Sequence, residues 1–210
     1  MMMRGRVVVA LMSLTLGFGL SSTASADKGE VDWSNRVVKA TGKGAPNLKA
    51  ANITVARLGA EKAAKLDAMR NILETLKGVE VTGGESVGGI IESNSSVKAK
   101  VQGVLRNFKI VATRYFSDGG VEVDVEMKLD GELASAVIPK AAAPKGACNG
   151  GTTGLVVDAT GTGIVPALAP RVLDSAGKEV AASSMLEPGA AADRGVAAYA
   201  KTVNEAKSNA

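Results

Sequence analysis

The sequence predicts an α+β fold, with one long amphipathic helix packed on a small antiparallel sheet, followed by a small β-plus-helix module. Three observations carry this expectation. Residues 59–78, GAEKAAKLDAMRNILETLKG, bring Leu66, Met69, Ile72, Leu73 and Leu76 round at helical spacing, with Lys65, Asp67, Arg70, Glu74 and Lys77 between them. Residues 121–129 alternate instead: Val121, Val123, Val125, Met127 and Leu129 are apolar, and Glu122, Asp124, Glu126 and Lys128 are charged. A Pro-, Ala- and Gly-rich tract then precedes a fresh apolar run at Leu155, Val156 and Val157. The expected division is a leader at 1–26, a helix-on-sheet domain at 27–139, a linker at 140–152 and the small module at 153–210.

In chain order, the first 26 residues have the form of a secretory signal peptide. Arg4 and Arg6 give the basic start, residues 7–20 the apolar run, and Ala24 and Ala26 the small-residue cleavage site. An uncleaved anchor is the competing reading, but the run is short for a span of about 20 residues. No cysteine follows it, so a lipid anchor of the bacterial lipoprotein kind has no acceptor. Removing Arg4 and Arg6 lowers the net charge from +4 to +2, too mild for an electrostatic footprint on nucleic acid. The expected location is exported, in the periplasm or at the outer membrane.

Val37 and Val38 open a first strand, and Gly42, Lys43 and Gly44 are expected to turn the chain, since the longer spacing of a P-loop is absent. A helical pattern begins near Asn47, with Ala51, Val55, Gly59, Ala63, Leu66, Met69, Leu73 and Leu76 along one face. Ala56, Gly59, Ala60 and Ala63 are small enough for close approach to a sheet. Gly78 is expected to close the helix in a left-handed conformation. Val79 and Val81 start a second strand, followed by a pliant Gly-rich stretch to Ile91 and a polar turn at 92–96. Residues 97–104 and 108–116 are strand candidates. Asp118, Gly119 and Gly120 form a hairpin turn into the alternating strand. A short helix is expected at 131–137, strands at 155–159, 171–174 and 179–180, and a helix weakened by Gly195 across 190–206.

The chain has no histidine, which removes Ser-His-Asp and Cys-His nucleophiles and most zinc sites. Glu122, Asp124 and Glu126 resemble a carboxylate set, but side chains two apart on a strand point outwards in parallel, as on the wet face of a half-buried strand. Acid content alone leaves a carboxylate-pair hydrolase open, whereas Trp and Tyr to hold a substrate are scarce. The expectation is a non-enzyme with no cofactor and no metal. Cys148 has no intrachain partner, so it is either a lone thiol in a loop or available for a disulfide between chains.

Two stretches go beyond generic pattern: residues 56–81, ARLGAEKAAKLDAMRNILETLKGVEV, and residues 153–180, TGLVVDATGTGIVPALAPRVLDSAGKEV. Together they resemble the family of small exported proteins typified by the twenty-kilodalton membrane-associated lipoprotein, which includes the flagellar protein FlgP. The helix is also similar to one in the N-terminal part of FlgT. The resemblance implies a non-enzymatic, structural and self-associating envelope protein, in a flagellar or other outer-membrane-associated assembly, with envelope or flagellar proteins as partners. Family members commonly carry a lipid-bearing N-terminal cysteine, where this chain has Ala26 and Asp27. The alternative is a soluble periplasmic module that binds a ligand or partner. For self-association, the Gly-rich stretch 79–91 is the expected contact and the alternating strand a poor one.

Overall fold

The computed structural model describes residues 29–138, 155–186 and 189–209. The leader with Ala24 and Ala26, and the tract with Cys148, lie outside the described residues. The chain runs β1 (Glu30–Asp32), β2 (Val37–Gly44), α1 (Ile53–Lys77), β3 (Glu80–Thr82), β4 (Glu85–Ser86), α2 (Val87–Ser93) and α3 (Ser95–Leu105). It continues through β5 (Lys109–Tyr115), β6 (Val121–Lys128), α4 (Glu132–Val137), β7 (Val172–Leu173), β8 (Glu179–Ala181), α5 (Ala190–Arg194) and α6 (Val203–Asn209).

Four antiparallel strands form the main sheet in the order β1-β2-β6-β5, and α1 lies across its two central strands. This is the helix-on-sheet layer that the sequence predicts. Along β6, Val121, Val123, Val125 and Met127 are buried while the acids between them face out. Burying one such side chain contributes roughly 1.5–3 kcal/mol, against about 0–1 kcal/mol for an exposed ion pair. The apolar row therefore fixes which face of β6 turns inward.

The buried face of α1 is Ala60, Ala64, Ala68, Ile72 and Leu76, one residue away from the expected stripe at its N-terminal end. Gly59 and Ala63 face solvent, and Leu66 is exposed. The reason lies on β2. Gly42 and Gly44 continue that strand rather than turning it, and a Cβ on either would overlap the backbone of α1 at Ala60, Ala64 or Ala68. Alanine on the helix and glycine on the strand let the two backbones touch. Asn52 caps the helix, its side chain accepting from the Val55 amide at 2.9 Å. At the other end Gly78 is right-handed, with φ −81°, so the expected left-handed stop is corrected. Its amide instead tightens the last turn, bonding the Thr75 carbonyl at 3.1 Å.

The stretch 97–104 is helix, not strand. Val97, Val101 and Val104 recur at helical spacing in α3, and Asn94 caps it, its side chain accepting from the Ser96 and Val97 amides. The Gly-rich stretch 79–91 is largely internal, with Val79, Val81, Val87 and Ile91 buried. The free side of β3 is taken by the C-terminal segment: Leu168 donates to the Glu80 carbonyl at 2.9 Å and Ala169 to the Val81 carbonyl at 2.7 Å. Part of the expected contact stretch is thus paired within the chain, while Gly83, Gly84, Glu85 and Gly89 are exposed.

Residues 155–159 form no strand; Leu155, Val156 and Val157 are exposed without a ladder. The β7–β8 hairpin forms as expected, its turn tied by Asp174, which accepts from the Ala176 and Lys178 amides. The expected terminal helix splits into α5 and α6, because Gly195 adopts φ +77°. α5 packs on α4, and Gly131 donates to the Ala192 carbonyl at 2.7 Å. Among the described residues no helix is long and apolar enough to cross a membrane.

Candidate interaction surface

The acidic row of β6 is the first feature to place. Arg114 on β5 donates to Asp124 Oδ1 from Nη2 at 2.8 Å and to Glu122 Oε2 at 3.2 Å, with a further bond from Nη1 to Asp124. Thr41 Oγ1 donates to Asp124 at 2.7 Å, and Lys43 Nζ lies 3.7 Å from Glu122. The Arg114 bond, with a smaller one from Thr41, holds Asp124 below the usual carboxylate range against the desolvation of partial burial. Arg114 is held correspondingly above its ordinary value, by Asp124 first and Glu122 second. Glu122 and Asp124 are thus spent on strand neighbours across the sheet, while Glu126 stands opposite Lys39 and Lys109 in the register. Among the described residues, no group of three His, Cys, Asp or Glu could hold a metal ion.

At the β1 end, Asp32 accepts from the Asn35 side chain at 2.9 Å, from Lys39 Nζ at 2.9 Å and from the Asn35 amide at 3.1 Å. These bonds, Asn35 foremost, hold its carboxyl well below the usual range. Nearby, Trp33 meets Tyr199 edge to face, ring centres 5.3 Å apart. The Tyr199 hydroxyl accepts from the Ala167 amide at 2.8 Å and donates to the Ala167 carbonyl at 2.7 Å. Burial raises that phenol's pKa. The seam that Trp33, Arg36, Leu129, Leu168 and Tyr199 line holds about 20 Å³. That is room for about one water molecule, so the C-terminal segment fills its seat. A wider groove of about 400 Å³ opens between residues 30–34 and 199–201. On β3, Glu80 Oε2 and Thr82 Oγ1 are buried with no hydrogen-bond partner among the described residues.

Of the two edge strands of the sheet, β1 and β5, the longer is β5. It pairs with β6 on one side and, among the described residues, with no strand on the other. Ile110 and Val111 on it are 41% and 58% exposed, although both are aliphatic. α1 lies over β2 and β6, so it leaves the helix-side surface of β5 largely uncovered. Only its first turns reach over: Tyr115 Oη donates to Glu61 at 3.1 Å, and the Arg57 guanidinium sits 5.6 Å from the Tyr115 ring centre. Leu58, between those two contacts on the helix, is 58% exposed, and Phe116 at the strand's end is also exposed. Among the described residues, backbone groups without a strand partner and exposed aliphatic side chains thus coincide along one edge, which suits pairing with another strand.

The sequence pointed to strand edges as a means of self-association but placed the contact at residues 79–91. The β5 edge does carry one mark in the sequence. From residue 93 to 117 there are Lys98, Lys100, Arg106, Lys109 and Arg114 and no acid. That is an unusual one-sign run for a stretch that includes an aliphatic strand.

Residues 154–210 match the family model for the second domain of Treponema pallidum Tp0624. No curated protein matches the chain, and no solved structure does.

Proposed function

We propose that this chain is a non-enzymatic, exported structural protein of the cell envelope that self-associates through the edges of its sheet. The observation that carries the proposal is the β5 edge, which offers unpaired backbone groups beside exposed Ile110 and Val111. The signal-peptide pattern with Ala24 and Ala26 supports export, and the resemblance of residues 56–81 and 153–180 supports an envelope role. A flagellar or other outer-membrane-associated assembly is the setting that resemblance suggests. The family match of residues 154–210 bears on the C-terminal segment alone. Sedimentation of the chain beginning at Asp27, across a concentration range, tests the proposal. An assembly larger than the monomer is expected, and a monomer throughout would refute it. Repeating the run with reductant shows whether Cys148 joins the chains.

A second reading, a soluble periplasmic binding module, is favoured by the groove of about 400 Å³ between residues 30–34 and 199–201. That volume falls within the roughly 300–1,000 Å³ of small-molecule sites. Trp33 lines the groove and is the single tryptophan of the chain. Under this reading the protein is a monomer, and bound ligand changes the Trp33 emission.

A further inference from the structure

The outer face of the sheet carries a row of charges that alternates in sign from one edge to the other. The strand register sets Glu30 opposite Lys39, Lys39 opposite Glu126, and Glu126 opposite Lys109. All four lie on the face away from α1, because Val38, Ala40, Val125 and Met127, their neighbours along the strands, are buried. Lys39 feels the row directly. Its pKa is raised by Asp32 first, and then by Glu30 and Glu126 on either side.

The row ends in opposite charges at the two edges. Glu30 stands on β1 and Lys109 on β5; both are exposed, and neither forms an ion pair among the described residues. β1 pairs with β2 and, among the described residues, with no strand on its other side, where a groove of about 400 Å³ separates Glu30 from Lys201. Within the sheet, each end has an opposite charge on its inner side only.

Resting on the self-association proposed above, we infer that successive copies join head to tail, β5 of one copy against β1 of the next, with Lys109 opposite the next copy's Glu30. The alternation then continues across the joint without a break. Strand direction agrees. β1 is antiparallel to β2, β2 to β6, and β6 to β5, so β1 and β5 of one sheet run oppositely. A second copy placed beside the first without inversion therefore forms an antiparallel pair at the joint and keeps both long helices on one face.

The symmetric alternatives are disfavoured by charge. Pairing β5 with β5 would leave Lys109 of each copy facing a strand with no acid, since β5 carries none and its Arg114 is already held by Glu122 and Asp124. Pairing β1 with β1 would oppose Glu30 and Asp32 to themselves. Like charges directly across a ladder are destabilising, and opposite charges stabilising. The irregularity in β5 between Ile110 and Ala112 also breaks the register beyond its first residues. Pairing is thereby confined to the Lys109 end, which is about the length that the three residues of β1 can use. A head-to-tail contact closes into a ring or runs on as a filament, according to the rotation at each joint.

The test uses the chain beginning at Asp27 and two charge reversals, Lys109→Glu and Glu30→Lys, each checked for its fold by circular dichroism. Each alone puts like charges at every joint and is expected to weaken assembly roughly tenfold. An equimolar mixture restores it, because each variant's edge then meets the opposite charge on the other. Loss in both variants with recovery in the mixture supports the inference. If the unaltered chain assembles and both variants assemble equally well, self-association stands and the β5–β1 joint is wrong. Loss without recovery in the mixture also overturns the joint. A monomeric unaltered chain overturns self-association and the joint together.

Discussion

Gly42 and Gly44 set how closely the long helix approaches the sheet. Neither has a positive φ, so the constraint is one of space alone: a methyl group on Gly42 would meet the Ala64 carbonyl and the Ala68 amide. Gly42→Ala is expected to destabilise the protein by about 1–3 kcal/mol, the usual cost of overpacking, read as a lower urea midpoint at unchanged slope. A Gly-Lys-Gly run reads as a turn in sequence, because what requires glycine there is a helix that begins nine residues later. Charge at the residue scale is a matter of acid. Asp32, Asp124 and Glu61 are all held below their ordinary values by hydrogen-bonded partners, Asn35, Arg114 and Lys65 respectively. A depressed folded-state pKa contributes stability that is present above the unfolded value, near 4, and is lost as pH falls through the folded value. Stability should therefore hold from neutrality to about pH 4 and decline below it. Denaturation midpoints between pH 7 and pH 2.5 measure this, and Asp32→Asn should make the decline shallower.

Among the elements, those with the strongest period were legible. β6 and its hairpin with β5 could be read because apolar and charged residues alternate and Gly119 supplies the positive φ of the turn. α1 could be read from its length, although its buried face was displaced, because alanine rather than leucine makes the closest contact. α3 was misread because its valines favour strands, while their spacing and the Asn94 cap favour a helix; packing of Val101 and Leu105 into the core decides it. Residues 155–159 failed as a strand for the opposite reason: the apolar run is there, but no described strand of this chain pairs with it. Asn94 serves two elements, ending α2 and capping α3. Asn94→Ala should cost about 0.5–2 kcal/mol, with a loss of helical ellipticity before global unfolding.

Across the whole molecule, the C-terminal segment does not carry a core of its own. Among the described residues from 155 onwards only Ala169 and Ala182 are buried apolar side chains. It is held instead by two backbone bonds to β3, by α5 against α4, and by the Trp33–Tyr199–Ala167 cluster. Tyr199→Ala should loosen that seat and shift the Trp33 emission to longer wavelength, while the sheet and α1 persist in circular dichroism. The sequence suggested two modules. It did not show that the second leans on the first, because the contacts join residues far apart in the chain and use Ala, Gly and backbone groups that leave no periodic mark.

Under the proposed function, the edges of this sheet meet those of other copies. Sedimentation velocity of the chain beginning at Asp27, over a hundredfold range of concentration at low salt, tests it most directly. A species larger than the monomer is expected, its share rising with concentration and falling as salt screens the exposed charges. A single monomeric species at every concentration would contradict it.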